Sequence, residues 1–298
     1  MRIGIDLGGT KIACLALNQQ GQVLYETRVD TPQGDYTAIL KTIKNCILEI
    51  EAECQQTGSV GIATPGAVSP KTGLLRNSNS TCLNGKAFQH DIENTLKREV
   101  RISNDANCFA LSEAIDGVGH QANSVFGVIL GTGVGAGLVI NRQIVDGPNA
   151  ISGEWGHNPL PMANAVEVST PCWCGRYACI ETFLSGPGLQ KHYYQHCGES
   201  HTAQEIARLA AQGHPPALTS MDVYEHRLAK SLAMVINILD PQMIILGGGL
   251  SNIRRLYDNI PKLWQNYIFS DCVLTQLRAP QYGDASGVRG AAWLWPST

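Results

Sequence analysis

The residues best suited to chemistry in this sequence are Asn104 and Asp105, where a strand is expected to run into a helix. Residues 99–102 have the β-branched character of a short strand, and residues 108–115 carry apolar side chains at helical spacing. A carboxylate at such a junction lies at the edge of the sheet where open α/β folds bind their ligands. We therefore place the chemistry at Asp105. The alternative is that Asn104 or Asp105 only caps the helix.

The first hairpin carries a turn suited to phosphate. Residues 3–18 read as a strand, a turn and a second strand. Glycine lets a ligand approach backbone N–H groups closely, and such groups bind phosphate. The turn adds a hydroxyl and a cation to its glycines: Gly8, Gly9, Thr10 and Lys11. Asp6, an acid inside the apolar strand, suits a hydrated Mg²⁺; a carboxylate hydrogen-bonded to nearby amides is an equal alternative.

The same pattern returns in residues 126–141 and predicts an internal duplication. When Gly4 is aligned with Gly127, five further pairs are identical: Leu7 with Leu130, Gly8 with Gly131, Ala13 with Ala136, Leu15 with Leu138, and Asn18 with Asn141. Two similar domains whose turns face each other would hold a nucleotide between them. Either turn alone is more often a plain hairpin, but two turns in register favour phosphate binding. The second turn is Gly131, Thr132 and Gly133.

A third glycine turn follows the strand predicted over residues 243–246. Glycines at this position leave space for a flat ring or a ribose against the backbone. A tight turn would need one glycine, whereas this turn has three: Gly247, Gly248 and Gly249. A helix is expected to begin near Ser251, and a closing helix over residues 287–294.

Residues 153–181 contain three cysteines within eight positions and an upstream histidine. These are the soft ligands of a Cys₃His zinc site: His157, Cys172, Cys174 and Cys179. The spacing is not that of a standard zinc finger, and three cysteines cannot all pair as disulfides. With four protein ligands the site would be closed and structural. It would fix the loops that carry Glu154 and Glu181, two carboxylates suited to accept hydrogen bonds from sugar hydroxyls.

Length, composition and charge limit the remaining possibilities. A chain of 298 residues with 44% hydrophobic and 16% charged residues is typical of a globular protein with two domains. A net charge of −3, without a local basic cluster, argues against a nucleic-acid surface. No apolar run approaches the ~20 residues of a membrane span, and the early strand leaves no room for a signal peptide, so the cytoplasm is expected. The other cysteines are expected to be reduced and mostly packed: Cys14, Cys46, Cys54, Cys82, Cys108, Cys197 and Cys272.

Taken together and in this order, the motifs resemble those of the ROK family of sugar kinases. The resemblance covers nearly the whole chain, and the histidine–cysteine segment is its most specific part. Residues 77–85 and 153–161 are most similar to the bacterial fructokinase (manno-fructokinase) branch, with the N-acetylglucosamine kinase branch as the near neighbour. Two positions depart from the pattern. Ala178 replaces a glycine common in the family, and Cys82 replaces an aromatic residue of close relatives.

The resemblance implies an α/β fold of the actin, hexokinase and Hsp70 type (ribonuclease H-like), with ATP in a cleft between two domains. The first domain would span residues 1–117, completed by a C-terminal helix at 287–298, and the second residues 118–286. The implied activity is ATP-dependent phosphorylation of a hexose with Mg²⁺ and a structural Zn²⁺, in a homodimer. D-Fructose, converted to D-fructose 6-phosphate, is the expected substrate; N-acetylglucosamine, mannose and glucose are the alternatives.

The resemblance also implies a role for each motif, with Asp105 as the general base. The implied sugar contacts are Asn79, Asn104, Asp105, Glu154, His157 and Glu181. The implied nucleotide contacts are Asp6, Gly8, Gly9, Thr10, Lys11, Gly131, Thr132, Gly133, Gly247, Gly248 and Gly249. The implied zinc ligands are His157, Cys172, Cys174 and Cys179. A non-catalytic sugar sensor is a remote alternative. The regulators of the family carry a helix-turn-helix ahead of the first glycine turn, whereas only five residues precede Asp6 in this sequence.

Overall fold

The computed structural model describes residues 1–78 and 80–296. The elements of the first half, in chain order, are β1 (Arg2–Leu7), β2 (Lys11–Leu17), β3 (Val23–Asp30), α1 (Tyr36–Cys54), β4 (Ser59–Thr64), β5 (Ala67–Val68), β6 (Leu75–Arg76), α2 (Phe88–Leu96), β7 (Val100–Asn104) and α3 (Asp105–Ile115). Those of the second half are β8 (Ser124–Leu130), β9 (Val134–Ile140), β10 (Gln143–Ile144), α4 (Ala165–Val168), α5 (Ile180–Leu184), α6 (Gly186–Cys197), α7 (Ala203–Ala211), α8 (Pro215–Leu239), β11 (Met243–Gly247), α9 (Arg255–Leu263), β12 (Gln276–Arg278) and α10 (Ser286–Ala292).

Two five-stranded sheets repeat one topology. The first has the strand order β3-β2-β1-β4-β7 and the second the order β10-β9-β8-β11-β12. In each sheet an antiparallel hairpin is extended by a third antiparallel strand on one side and by two parallel strands on the other. The equivalent hairpins, β1-β2 and β8-β9, are the two segments that share the glycine-turn pattern. The repeated topology therefore agrees with the predicted internal duplication.

Strand alternation sends the two faces of the first sheet to different neighbours. In β1, Ile3, Ile5 and Leu7 are fully buried in a core shared with α1 and α2. Successive side chains of a strand point to opposite faces, so Gly4 and Asp6 face the helix α10 on the other side. The second sheet is covered on its outer face by the helices α5 to α9. Asp6 therefore lies on the inner face of the first sheet, the face that packs against α10.

Two helices, α3 and α10, lie between the sheets at backbone-contact distance. A Cβ atom added to Gly290 of α10 would lie 1.7 Å from the carbonyl oxygen of Cys108 in α3. One added to Gly137 of β9 would lie 2.6 Å from the carbonyl oxygen of Ala106. No side chain fits at these separations, so glycine is required there. The packing holds α3, and with it Asp105, in one position between the sheets.

The structure confirms the predicted strand at 99–102, the two hairpins and the strand before the triple glycine. Two helices have boundaries that differ from the predicted ones. After the triple glycine the chain forms a 3₁₀ helix, Gly249–Asn252, and α9 begins only at Arg255 rather than near Ser251. The closing helix α10 begins at Ser286 and ends at Ala292. All ten cysteines are free thiols, but Cys272 is exposed and does not pack as predicted. Within 1–78 and 80–296, no helix combines the length and apolar character that crossing a membrane requires.

A fully buried carboxylate, Glu113 of α3, fixes the segment that leads into α10. It accepts hydrogen bonds from the backbone N–H groups of Gln281 at 3.0 Å and Val118 at 3.1 Å. It also accepts one from the N–H of Tyr282 at 3.4 Å and one from the hydroxyl of Ser286 at 2.7 Å. Four donors therefore offset the cost of burying this charge.

We predict that Glu113→Ala lowers the free energy of unfolding by about 3 kcal/mol or more, because it leaves several buried donors without an acceptor. Chemical denaturation monitored by circular dichroism measures the change. The control is Glu99→Ala, which removes an exposed carboxylate and should change stability by less than about 0.5 kcal/mol. Equal stability of the two variants would contradict the bracing role of Glu113.

Candidate active site

A cleft of about 2050 Å³ opens between the two sheets at the carboxyl ends of their parallel strands. Its lining includes the start of α3, the second glycine turn, the 3₁₀ helix Glu154–His157 and the loop that carries the cysteines. It brings together five of the predicted sugar-contact residues, which lie far apart in sequence: Asn104, Asp105, Glu154, His157 and Glu181. The sixth, Asn79, lies outside the described residues.

At the junction of β7 and α3, Asn104 caps the helix and Asp105 is left as the candidate for the chemistry. Asn104 is the helix cap: its Oδ1 accepts a hydrogen bond from the N–H of Ala106 at 2.8 Å. Its Nδ2 also donates to the carbonyl of Gly66 at 3.1 Å. The capping alternative is thus correct for Asn104, while Asp105 is the first helical residue. Its Oδ1 accepts from the same N–H of Ala106 at 2.8 Å.

Two acids of the inner face, Asp105 and Asp6, are held at raised pKa values. Burial raises the pKa of Asp105 to about 6. The hydrogen bond from the N–H of Ala106 lowers this pKa, and the negative charge of Glu154 raises it. Burial, together with the charge of Asp105, raises the pKa of Asp6 to about 7, while Arg28 lowers it. Each carboxylate thus lies in a place where a nearby cation would be favourable.

Glycines bring Glu154 and His157 to the cleft. Their 3₁₀ helix lies on β9 so closely that a Cβ atom on Gly153 would lie 2.1 Å from the carbonyl oxygen of Ala136. Gly153 also has a φ of 86°, a conformation that favours glycine. Trp155 anchors the same turn in the core, edge to face with Phe126. The carboxylate of Glu154 is left exposed to the cleft.

Glu181 lies in the first turn of α5, with both carboxylate oxygens held by the protein. Its Oε2 accepts the backbone N–H of Val134 at 2.9 Å, and its Oε1 accepts the indole N–H of Trp173. Gly133 leaves room for this arrangement, because a Cβ atom there would lie 2.8 Å from Oε2. The second glycine turn and the cysteine loop thus meet at this carboxylate.

The predicted metal ligands converge. One ligand atom from each of His157, Cys172, Cys174 and Cys179 lies within 4.8 Å of all the others. The Sγ atoms of Cys174 and Cys179 are 3.6 Å apart, too far for a disulfide. The Sγ of Cys172 is 3.8 Å from Nδ1 of His157. Ligands of a tetrahedral ion with bonds of 2.0–2.3 Å are about 3.5–3.8 Å apart, so the four residues can hold a metal ion.

The departure at Ala178 has a local cost. This residue has a φ of 58°, the left-handed conformation in which glycine is unstrained. Its backbone is fixed there by two hydrogen bonds, from its N–H to Thr170 O at 2.8 Å and from the N–H of Leu160 to its carbonyl at 2.7 Å. The glycine that the family commonly has here suits this backbone. Ala178 keeps the same loop path with a strain of about 1 kcal/mol.

Both glycine turns leave backbone donors available. The first is closed by a hydrogen bond from Gly8 N–H to Lys11 O at 3.0 Å, and the second by one from Gly131 N–H to Gly133 O, also at 3.0 Å. In each turn two backbone N–H groups have no acceptor within the part of the chain that the structure describes: Gly9, Thr10, Thr132 and Gly133. The ammonium of Lys11 pairs with Asp30 on the exposed surface of the hairpin.

The triple glycine lies beside the second glycine turn. Gly247 pairs with Ile129 in the parallel ladder between β11 and β8. Gly248 has a φ of 76°, and a Cβ atom there would lie 2.5 Å from the carbonyl oxygen of Leu130. The backbones of the two segments are therefore in contact, and they form one glycine-rich surface at the end of the second sheet.

Four residues of the cleft were given no role from the sequence: Arg76, Asn107, Asp146 and Trp173. Asn107 is buried next to Asp105, and its amide donates to Asp146 at 3.3 Å. Arg76 reaches from one side of the cleft to the carbonyl of Asn149 on the other, at 2.9 Å. Trp173 lines the cleft as well. Asn107 has a sequence signal, since it follows Asn104 at helical spacing in an otherwise apolar helix, whereas the other three are brought to the cleft only by folding. Cys82 instead packs against the core of the first sheet.

Comparison with known proteins identifies the family of the chain. Residues 2–298 match the ROK family. The chain is 39% identical over 303 residues to the N-acetyl-D-glucosamine kinase of Yersinia pseudotuberculosis serotype O:1b (strain IP 31758), covering 99% of this chain and 98% of that protein. It is 39% identical over 304 residues to the N-acetyl-D-glucosamine kinase of Pasteurella multocida (strain Pm70), covering both proteins completely.

Solved structures confirm the predicted fold class. The ROK hexokinase of Thermus thermophilus superimposes with a TM-score of 0.87 at 25% identity, over 98% of this chain and 96% of that one. The ROK family glucokinase of Streptomyces griseus, solved with glucose and AMPPNP, gives 0.80 at 26% identity, over 100% and 99%. The fold is the predicted two-sheet α/β type of the actin and hexokinase class. A match that runs from residue 2 to residue 298 shows that this chain belongs to the ROK family.

Proposed function

We propose that this protein is an ATP-dependent kinase that phosphorylates N-acetyl-D-glucosamine. The observation that carries the reaction class is the Asp105 carboxylate, buried at the cleft beside a turn with free backbone N–H groups. The choice of sugar is supported by relatives at 39% identity that carry the name N-acetyl-D-glucosamine kinase. The comparisons give no support to the fructokinase prediction. The predicted homodimer stays a prediction.

Asp105 is the proposed general base. Its Oδ1 is held by the N–H of Ala106 at 2.8 Å, which fixes the carboxylate at the head of α3. A sugar hydroxyl hydrogen-bonded to this carboxylate would lose its proton to it as the oxygen attacks the γ-phosphoryl group in line. A pKa of about 6 keeps the base mostly ionised at neutral pH and strong enough to take the proton.

The other predicted sugar contacts supply acceptors and donors around that hydroxyl. Glu154 and Glu181 would accept hydrogen bonds from further sugar hydroxyls. Asn104 caps α3 with its side-chain oxygen and donates once to Gly66, so its amide nitrogen keeps one N–H for the sugar. His157 can serve both sites, since its Nδ1 faces the cysteine cluster and leaves its other ring nitrogen for the sugar. Asn79 is proposed as a contact on the resemblance alone.

The nucleotide would lie along the glycine-rich surface. The free N–H groups of the two turns suit the phosphate chain, and the triple glycine suits the adenosine. Asp6 fits a role in holding Mg²⁺, because its pKa of about 7 reflects a buried acid beside another acid. When bound, Mg²⁺ would neutralise phosphate charge. Lys11 would have to leave Asp30 to reach a phosphate, and an exposed ion pair allows that at low cost.

We propose zinc as the metal of the cysteine cluster. Three thiolates and an imidazole are its preferred ligands, and the donor separations of 3.6 and 3.8 Å suit a tetrahedral ion. Four protein ligands leave no open position, so its role would be to hold the loop between His157 and Glu181.

We predict that the purified protein releases ADP from Mg-ATP with N-acetylglucosamine at the highest kcat/KM among N-acetylglucosamine, fructose, mannose and glucose. A coupled ADP assay measures this, and Asp105→Asn serves as the control for contaminating kinases. Fructose as the best substrate would restore the fructokinase prediction within the same mechanism. ATP binding without turnover on any sugar would contradict the proposed function and favour a sugar sensor.

We predict that kcat/KM for the sugar falls about tenfold per pH unit below pH ~6 and levels off above neutral pH. The reason is that protonation of Asp105, with its pKa of about 6, removes the base. Asp105→Asn should lose about 10³-fold in kcat and show no such acid limb, with ATP affinity within a few-fold. An unchanged acid limb in that variant would assign the titration to another group.

We predict that Cys174→Ser loses stoichiometric zinc and lowers Tm by several degrees, because structural zinc contributes directly to folding. Metal analysis and thermal unfolding measure the two effects. Cys272→Ser is the matched control, since it removes an exposed thiol outside the cluster. Zinc content equal to that of the wild type in Cys174→Ser would exclude this site.

A further inference from the structure

Trp173 is a large aromatic side chain that the fold leaves at the cleft rather than in a core. It lies between the metal-ligand residues Cys172 and Cys174, and 76% of its surface is exposed. Its ring meets the ring of His157 edge to face, with centroids 5.2 Å apart and planes at 82°. An exposed apolar side chain that lines a concave site is typical of a ligand surface.

The indole N–H of Trp173 is committed to Glu181. It donates to Oε1 of that carboxylate, while the backbone N–H of Val134 donates to Oε2 at 2.9 Å. Each carboxylate oxygen can accept two hydrogen bonds. One donor on each oxygen therefore fixes the plane of the carboxylate and leaves acceptor capacity on both oxygens for a ligand.

The neighbouring aromatic side chains do not share this arrangement. Tyr177, in the same loop, is 62% exposed, but it makes no hydrogen bond to Glu181 in the described structure. Among the other tryptophans, Trp155, Trp264 and Trp293 are buried, and the indole N–H of Trp295 donates to Val60 O at 2.7 Å, outside the cleft. Trp173 is thus distinguished from them by both its exposure and its hydrogen bond.

We propose that Trp173 is a positioning residue for the sugar. Its N–H orients the Glu181 carboxylate toward the sugar hydroxyls, and its ring forms the wall of the sugar site beside His157. This inference rests on the proposed function, which assigns Glu181 and His157 to the sugar. A hydrogen bond to a charged group is among the stronger ones in proteins, so its removal should be visible in sugar affinity.

The test is Trp173→Phe, which keeps an aromatic ring and removes the N–H donor. Calorimetric titration with N-acetylglucosamine should show a Kd raised about tenfold, and KM for the sugar should rise with it. Because Trp173 makes no hydrogen bond to Asp105 or to either glycine turn in the described structure, kcat and KM for ATP should stay within about twofold. Trp295→Phe is the matched control, since it loses an indole N–H outside the cleft and should leave sugar Kd unchanged.

A double-mutant cycle with Glu181→Gln separates positioning from general packing. Val134 and Trp173 donate to different oxygens of Glu181, and glutamine has only one acceptor oxygen, so the amide cannot keep both hydrogen bonds in this geometry. Adding Trp173→Phe to Glu181→Gln should therefore change the sugar Kd less than about twofold. Metal content and Tm of Trp173→Phe should match the wild type, which a merely structural role would not give. An equal tenfold loss in both backgrounds would overturn the assignment, because Trp173 would then act without Glu181.

The outcomes for this inference and for the proposed function are distinct. A wild type that phosphorylates a sugar, with a Trp173→Phe variant of unchanged Kd, overturns only the role of Trp173. A wild type that phosphorylates none of the four sugars overturns the proposed function itself.

Discussion

The backbone contact between helix α3 and its neighbours is the constraint on which this structure depends. Gly290 lets α10 approach the carbonyl of Cys108, and Gly137 lets β9 approach the carbonyl of Ala106, at distances that exclude any side chain. Because α3 leaves β7 of the first sheet and packs on β8 and β9 of the second, it ties the two sheets together. Asp105 is its first residue, so the same packing that joins the sheets also places the carboxylate at their common mouth.

The electrostatics of the cleft follow from that placement. Asp6 ends up on the inner face of β1 and Asp105 at the head of α3, where burial raises the pKa of both acids. Two acids with little cationic compensation from the fold favour a ligand that brings its own positive charge, as Mg-nucleotide does. The free N–H groups of the glycine turns favour an anion next to it. The structure therefore holds buried acids near backbone amides that suit an anion, an arrangement that the proposed phosphoryl transfer to a hydroxyl would use.

The cysteine loop links the candidate metal cluster to the part of the cleft where the sugar is proposed to bind. His157 belongs to the candidate metal cluster and lines the cleft beside the proposed sugar site, while Trp173 connects the cluster to Glu181. Short motifs in residues 77–85 and 153–161 favoured fructose, whereas along its whole length the chain is 39% identical to a relative named N-acetyl-D-glucosamine kinase. Sugars that differ by one or two groups are distinguished by a few contacts at the pocket wall. Trp173 and Asp146, which those motifs do not include, line the cleft.

The sequence alone was sufficient for features encoded by local patterns. The apolar strand segments, the repeated glycine turns and the Asn104-Asp105 junction predicted the two hairpins and the residue at the head of α3. The resemblance to the ROK family predicted the α/β fold class, and the cysteine spacing predicted a cluster that the structure brings together. Only the tertiary structure decided that Asn104 caps α3, that Lys11 pairs with Asp30, that Ala178 adopts a left-handed conformation and that Trp173 holds Glu181. The physical reason is the sequence separation of the interacting groups. Backbone preference and side-chain periodicity act over a few residues, whereas these contacts and the raised pKa values arise from groups that folding brings together from distant parts of the chain.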